Sequence, residues 1–243
     1  MAILMAAQIW FASDHRNLRH AIEEMPPAPS GPALKFMALG DDEFLFRHLG
    51  RWLEMVGDGG GRVRPLRDYD YDRVVAWMET LDELDRNRSD FIHEIAARYF
   101  GEITSSVDQG NARLRKIVGY LRVVALHDPA RFWRWLVWDA QKARKPINDP
   151  ELIEMLARDL QSPELVNPLV PAWVRILPIK LYQVAGNQAA AQDALAKASP
   201  KDIAEVEEMR RRMAESFRKL LKLGGGADAP VLDEPQQSPQ SRP

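Results

Sequence analysis

Side chains able to do chemistry are sparse in these 243 residues. Five histidines (His15, His20, His48, His93 and His127) form no HExxH metal pair, and cysteine is absent. Without thiols, a disulfide framework, Cys-ligated zinc, an iron–sulfur cluster and a thiol nucleophile are all excluded. His93 and Glu94 are adjacent; on a helix such neighbours point in different directions and make no acid–base pair. His93 is therefore expected on a surface or groove. No GxSxG stands where a strand would hand over to a helix, so a serine-hydrolase elbow is not indicated. Gly57-Asp58-Gly59-Gly60-Gly61-Arg62 lacks the Lys-Ser/Thr of a phosphate loop and reads as helix termination followed by a loop. Asp68-Tyr69-Asp70-Tyr71-Asp72 alternates carboxylates as calcium loops do, but without the turn glycine and distal glutamate. A simpler account has Asp70 capping a helix, Asp72 near its positive end, and both tyrosines packing on a neighbour. Asn87-Arg88-Ser89 matches a glycosylation sequon, a motif too short to carry weight alone. The pattern supports no enzyme, cofactor or metal site.

The elements that would position any site are helical. Stretches alternating with period two are missing, while apolar residues recur at three- and four-residue spacing. Ala33–Val56 carries Leu34, Met37, Ala38, Phe44, Leu45, Leu49, Trp52, Leu53 and Val56 in that phase. Further helices are expected over Asp70–Leu84, from Ser89 or Asp90 through Phe100, and from Asn111 through Val124. Others follow over Phe132–Arg144, Glu151–Gln161, Pro171–Ala185, Gln188–Ala198 and Lys201–Leu223. Asp149-Pro150 is a cap followed by proline at the first helical position. Short links between amphipathic helices imply antiparallel neighbours, so the fold class is all-α.

Tyr182, Gly186, Ala191 and Ala198 stand at the offsets of a tetratricopeptide repeat, with Leu195 at the large position between the small ones. Ile92, Ile95, Ala96 and Tyr99 follow the order of such a repeat's first helix, after Leu84-Asp85-Arg86-Asn87, where Arg86 replaces the usual proline. Trp133 and Leu136 give a third instance, with Val137 and Ala140 departing from the pattern. The body thus resembles a degenerate tetratricopeptide array. The resemblance implies a right-handed solenoid of about four stacked hairpins, since one hairpin cannot cover its own apolar face. The hairpins would be Ala33–Leu84, Ser89–Leu126, Ala130–Gln161 and Pro171–Ala198, with Lys201–Leu223 as a capping helix; a non-repetitive bundle is the alternative.

In such arrays the first helices line a concave groove. Carrying that register over places Asp90, His93, Ala97, Arg131, Arg134, Trp138, Gln141, Trp173, Ile176, Lys180 and Gln183 on this face. Arg131, Arg134 and Lys180 would make its middle positive, fit for an acidic or C-terminal carboxylate-bearing peptide.

Residues 1–31 read as an apolar N-terminal segment and Pro-rich spacer, 32–223 as the helical repeat domain, and 224–243 as a disordered tail. Met1–Ala12 is shorter than the roughly 20 apolar residues of a membrane span and has no signal-peptide cleavage site. It reads either as a short docked helix or as a membrane anchor. Arg16 and Arg19 after it would favour a cytoplasmic body. The basic amphipathic stretch 201–223 offers a second membrane or partner contact. Lys+Arg 33 against Asp+Glu 35, a formal net charge of -2, indicates no nucleic-acid partner. The resemblance implies a non-enzymatic protein-interaction scaffold, tethered to a membrane or not, with a structural subunit of a larger complex as the alternative.

Overall fold

Ten α-helices, and no strand, make up the described residues, 25–55, 68–85, 89–102 and 110–224, of this computed structural model. The all-α expectation is met. The chain divides into two units, Met1–Lys197 and Ala198–Pro243.

In the first unit, α1 (Gly31–Ala38) and α2 (Asp42–Met55) replace the single helix expected over Ala33–Val56. Leu39 and Gly40 both take positive φ, 49° and 94°, which reverses the chain. The Asp41 carboxylate then accepts the Phe44 N–H at 2.9 Å and starts α2. The break rotates the two halves out of one helical phase. Leu34, Leu45, Leu49 and Leu53 are buried, whereas Met37 and Phe44, both expected inside, are 52% and 66% exposed.

Ahead of α1, the start of the Pro-rich stretch is docked on α3 (Tyr71–Leu84). Met25 is buried, its carbonyl accepts from Arg73 Nη1 at 2.9 Å, and the Pro26 carbonyl accepts from Trp77 Nε1 at 2.8 Å. Both donors lie on α3. Proline cannot donate from its own nitrogen, so this extended strap is held through its carbonyls.

Next, α4 (Phe91–Glu94) widens into a π-helical turn, Ile95–Gly101. Then come α5 (Gly110–His127), α6 (Pro129–Lys142) with a π-helical turn Ala143–Ile147, α7 (Pro150–Asp159), α8 (Ala172–Ala185) and α9 (Gln188–Lys197). Capping follows the sequence closely. Asp70, Asp128 and Asp149 each accept backbone N–H groups at a helix start, with Pro129 and Pro150 at the first turn. Gly186, at φ 87°, turns α8 into α9, a left-handed position that favours glycine.

Helices pack chiefly on their chain neighbours: α5 along α6, α7 along α8, and α8 along α9, while α3 reaches across to α5. Ile92, Leu114, Ile117, Leu121, Leu136 and Ile153 are fully buried between them. Tyr182, Ala191, Ile95, Ala96, Leu136 and Ala140 face inward. Leu195 does not: it is 51% exposed, and Ala194 takes the inward position.

In the second unit, α10 (Pro200–Gly224) pairs Glu208 with both Arg211 and Arg212 along one face. No described helix is long and apolar enough to cross a membrane. Met1–Ala12, the glycine-rich stretch 57–67, Arg86, Asn87 and Arg88 of the sequon, and the tail from 225 lie outside the described residues.

Candidate functional site

A recess of about 560 Å³ opens where α3, α4, α5 and the start of α6 meet. From α3 come Glu79, Asp82 and Glu83, followed by the capping Asp85; α4 supplies His93. The last turns of α5 add Tyr120, Val123, Val124, Leu126 and His127, and α6 adds Phe132. The residues divide by chemistry. One wall is apolar, with Val123 67% and Leu126 38% exposed; the other is a run of carboxylates.

These carboxylates sit against the local electrostatic preference of their helix. A helix C-terminus carries partial negative charge and favours cations, yet the last turn of α3 has no basic residue. Two of the four are tied into the fold. Asp85 Oδ2 accepts from the Ser89 N–H and, at 2.6 Å, from its hydroxyl, which fixes the entry to α4. Asp82 Oδ2 accepts the Tyr120 hydroxyl at 2.6 Å, and its Oδ1 lies 3.2 Å from His93 Nε2. Glu79 and Glu83, four residues apart and both exposed, form the outer rim; such a like-charged pair disfavours the helix slightly.

His93 stands at the centre of an aromatic enclosure. Its ring meets Phe132 edge-on at 5.3 Å, Trp135 edge-on at 6.2 Å and Tyr120 at 6.1 Å. Expected on a surface or groove, it lines the recess but is only 4% exposed. Its buried Nδ1 has no hydrogen-bond partner, with Asp90 Oδ1 3.6 Å away. Asp90 is held from α6 by Trp135 Nε1 at 3.2 Å and by an ion pair with Arg134. Burial, reinforced by the Asp82 carboxylate beside it, holds the Tyr120 phenol well above its ordinary value, so Tyr120 stays a hydrogen-bond donor.

Of the eleven groove residues read from sequence, the structure brings Asp90, His93 and Arg134 into one cluster, while Ala97, expected to face the groove, is fully buried. The others stand apart from it. Arg131 is exposed, its guanidinium 5.0 Å from the Phe132 ring. Trp138 is half-buried, with Lys142 over its ring at 5.2 Å, and Trp173 packs edge-on against Trp133 at 5.8 Å. Gln141 and Lys180 are exposed. The expected positive centre of Arg131, Arg134 and Lys180 is partly neutralised, because Arg134 is committed to Asp90.

The carboxylate rim and the apolar end of α5 escaped the sequence reading. A usable signal was present: acidic residues cluster at the C-terminal end of a helix, where the dipole opposes them. Among the described residues, no three His, Asp or Glu side chains converge to hold a metal ion. Comparison with protein-family models, with curated proteins and with solved structures finds no match.

Proposed function

We propose that the helical unit is a non-enzymatic protein-interaction scaffold, a tetratricopeptide-like stack of hairpins that takes a segment of a partner protein into the recess between α3, α4, α5 and α6. The observation that carries this reading is the recess itself, whose apolar wall on α5 leaves Val123 67% exposed inside a rigid helical frame. A pre-formed surface of this kind avoids much of the ordering cost of association. The polar groups deepest in it favour binding over turnover: Asp82 is engaged by both His93 and Tyr120. Cross-linking mass spectrometry in the native host, comparing the wild type with Val123→Asp, tests it. A partner cross-linked to α3 and α5 in the wild type and lost in the variant is expected. Identical cross-link profiles would overturn the reading.

A structural subunit is the second reading, favoured by the corner between α1 and α2. There Phe36, Leu39 and Phe44 are 80%, 86% and 66% exposed, a grouping of large apolar side chains that soluble surfaces usually cover. Sedimentation of the purified chain discriminates: assembly of defined stoichiometry, abolished by Phe36→Ser/Leu39→Ser, supports it, and a monodisperse monomer removes it.

A further inference from the structure

Four carboxylates rim the recess, and the fold uses only two of them. Asp85 anchors Ser89, and Asp82 is shared by Tyr120 and His93. Glu79 and Glu83 face outward from α3 on the same side, one turn apart, beside the negative end of their helix. Across from them lie Val123, Val124, Leu126 and Phe132. Their juxtaposition makes a surface with an apolar floor and an anionic edge, and His93, nine-tenths buried in the lining, keeps one ring nitrogen without a hydrogen-bond partner.

We infer that the recess recognises a basic, amphipathic segment of a partner protein: apolar side chains settle on Val123, Val124, Leu126 and Phe132 while an arginine or lysine of the same segment meets Glu79 and Glu83. The inference rests on the scaffold reading and adds the sign of the partner's charge, opposite to the acidic peptide that the arginine register suggests. Charge complementarity decides the sign. A carboxylate-bearing segment would enter against Glu79, Glu83 and the α3 dipole, whereas of the three cations expected to receive it Arg134 is already paired with Asp90 and neither Arg131 nor Lys180 lines the recess. A recess of about 560 Å³ falls within the range of ligand pockets and holds a few side chains of a partner segment.

A random dodecapeptide library displayed on phage, selected against the full chain, provides the probe. Enriched sequences should carry net positive charge with interspersed leucine, isoleucine or phenylalanine. In fluorescence anisotropy with the strongest such peptide, Glu79→Gln/Glu83→Gln should weaken binding about tenfold and flatten its salt dependence. Val123→Asp should abolish binding. Both glutamates are exposed, so the double variant should keep the wild-type circular dichroism. Enriched peptides that are neutral or acidic, or that bind the double glutamine variant as tightly as the wild type, overturn the inference. If those peptides still fail on Val123→Asp, the scaffold reading stands without it. Peptides insensitive to both variants, or no enrichment at all, overturn both.

Discussion

Arg122 on α5 grips Asp159 on α7 through both carboxylate oxygens, Nε to Oδ2 at 2.5 Å and Nη2 to Oδ1 at 3.2 Å. The field of this pair reaches Asp139 on α6, a fully buried carboxyl with no hydrogen-bond partner on either oxygen. Burial pushes the Asp139 carboxyl well above the usual range; Arg122 opposes the shift and Asp159 adds to it. The folded chain therefore holds this proton more tightly than the unfolded chain does. The stability it brings is complete below the unfolded value of about 3.9 and is lost as pH rises through the folded value. Asparagine is neutral throughout. Asp139→Asn should thus gain stability relative to the wild type between pH 4 and pH 8, whatever the offset at pH 4. Denaturant unfolding across that range reads the gap, and a gap independent of pH would falsify the assignment.

Asp149 has the opposite sign. Its carboxylate accepts from Glu151 N–H at 3.0 Å and Leu152 N–H at 3.2 Å, and pairs with Arg115 on α5. The Arg115 hydrogen bond, then those backbone donors, hold the group below the usual carboxylate range. This stabilisation is present above about pH 3.9 and is lost as pH falls through the lowered folded value. Asp149→Ala should cost about 1–2 kcal/mol at neutral pH, the ordinary worth of a helix cap. The difference should shrink in acid, and equal midpoints at pH 7 would show that the cap contributes nothing.

Local signals in the sequence carried most of the fold. Asp70, Asp149-Pro150 and Gly186 each announce a helix boundary within a few residues, and each acts there. Where a boundary depends on what the side chain meets elsewhere, the same signals mislead. Asp90 caps nothing with its carboxylate, because Trp135 and Arg134 occupy it. Gly40-Asp41 divides α1 from α2, a stop-and-restart signal overridden in the reading by the continuing apolar phase of Leu34 to Leu53. The recess was hidden for a related reason. Helical phase puts Glu79 and Glu83 on one side of α3, but only packing decides that the end of α5 comes to face them. The burial of His93, which reads from sequence as a surface or groove residue, was hidden because no periodicity reveals three aromatic rings arriving from α5 and α6.

Gly101 closes the π-helical turn after α4 where no side chain fits. A Cβ there would lie 2.5 Å from Trp138 Cη2 and 2.6 Å from its Cζ2. Gly101→Ala should destabilise by about 1–3 kcal/mol, the usual scale of overpacking, despite alanine's better helix propensity. Trp138→Leu in the same chain should recover part of the loss, because the clash is with the indole. Thermal unfolding of the two single variants and the double variant gives the coupling. Strict additivity would mean that the indole swings aside freely.

Tyr120 is the most direct test of how the acidic wall is held. Its hydroxyl donates to Asp82 Oδ2 at 2.6 Å inside a site where the tyrosine is 4% exposed. Tyr120→Phe leaves the ring packing and removes only that donor, so it should cost about 1–3 kcal/mol, the range for a hydrogen bond to a charged group. Burial raises the phenol above its ordinary value, with Asp82 adding to the shift. Its contribution is therefore full below about pH 10 and lost as pH climbs through the folded value. The variant should accordingly lose stability less steeply in alkali than the wild type. Ultraviolet titration should show Tyr120, like the buried Tyr182, resisting ionisation, and Tyr120→Phe should remove one such late-titrating group. If instead Tyr120→Phe unfolds at the wild-type midpoint and every tyrosine ionises together, Asp82 is solvated rather than anchored, and the carboxylate beside His93 is free to move.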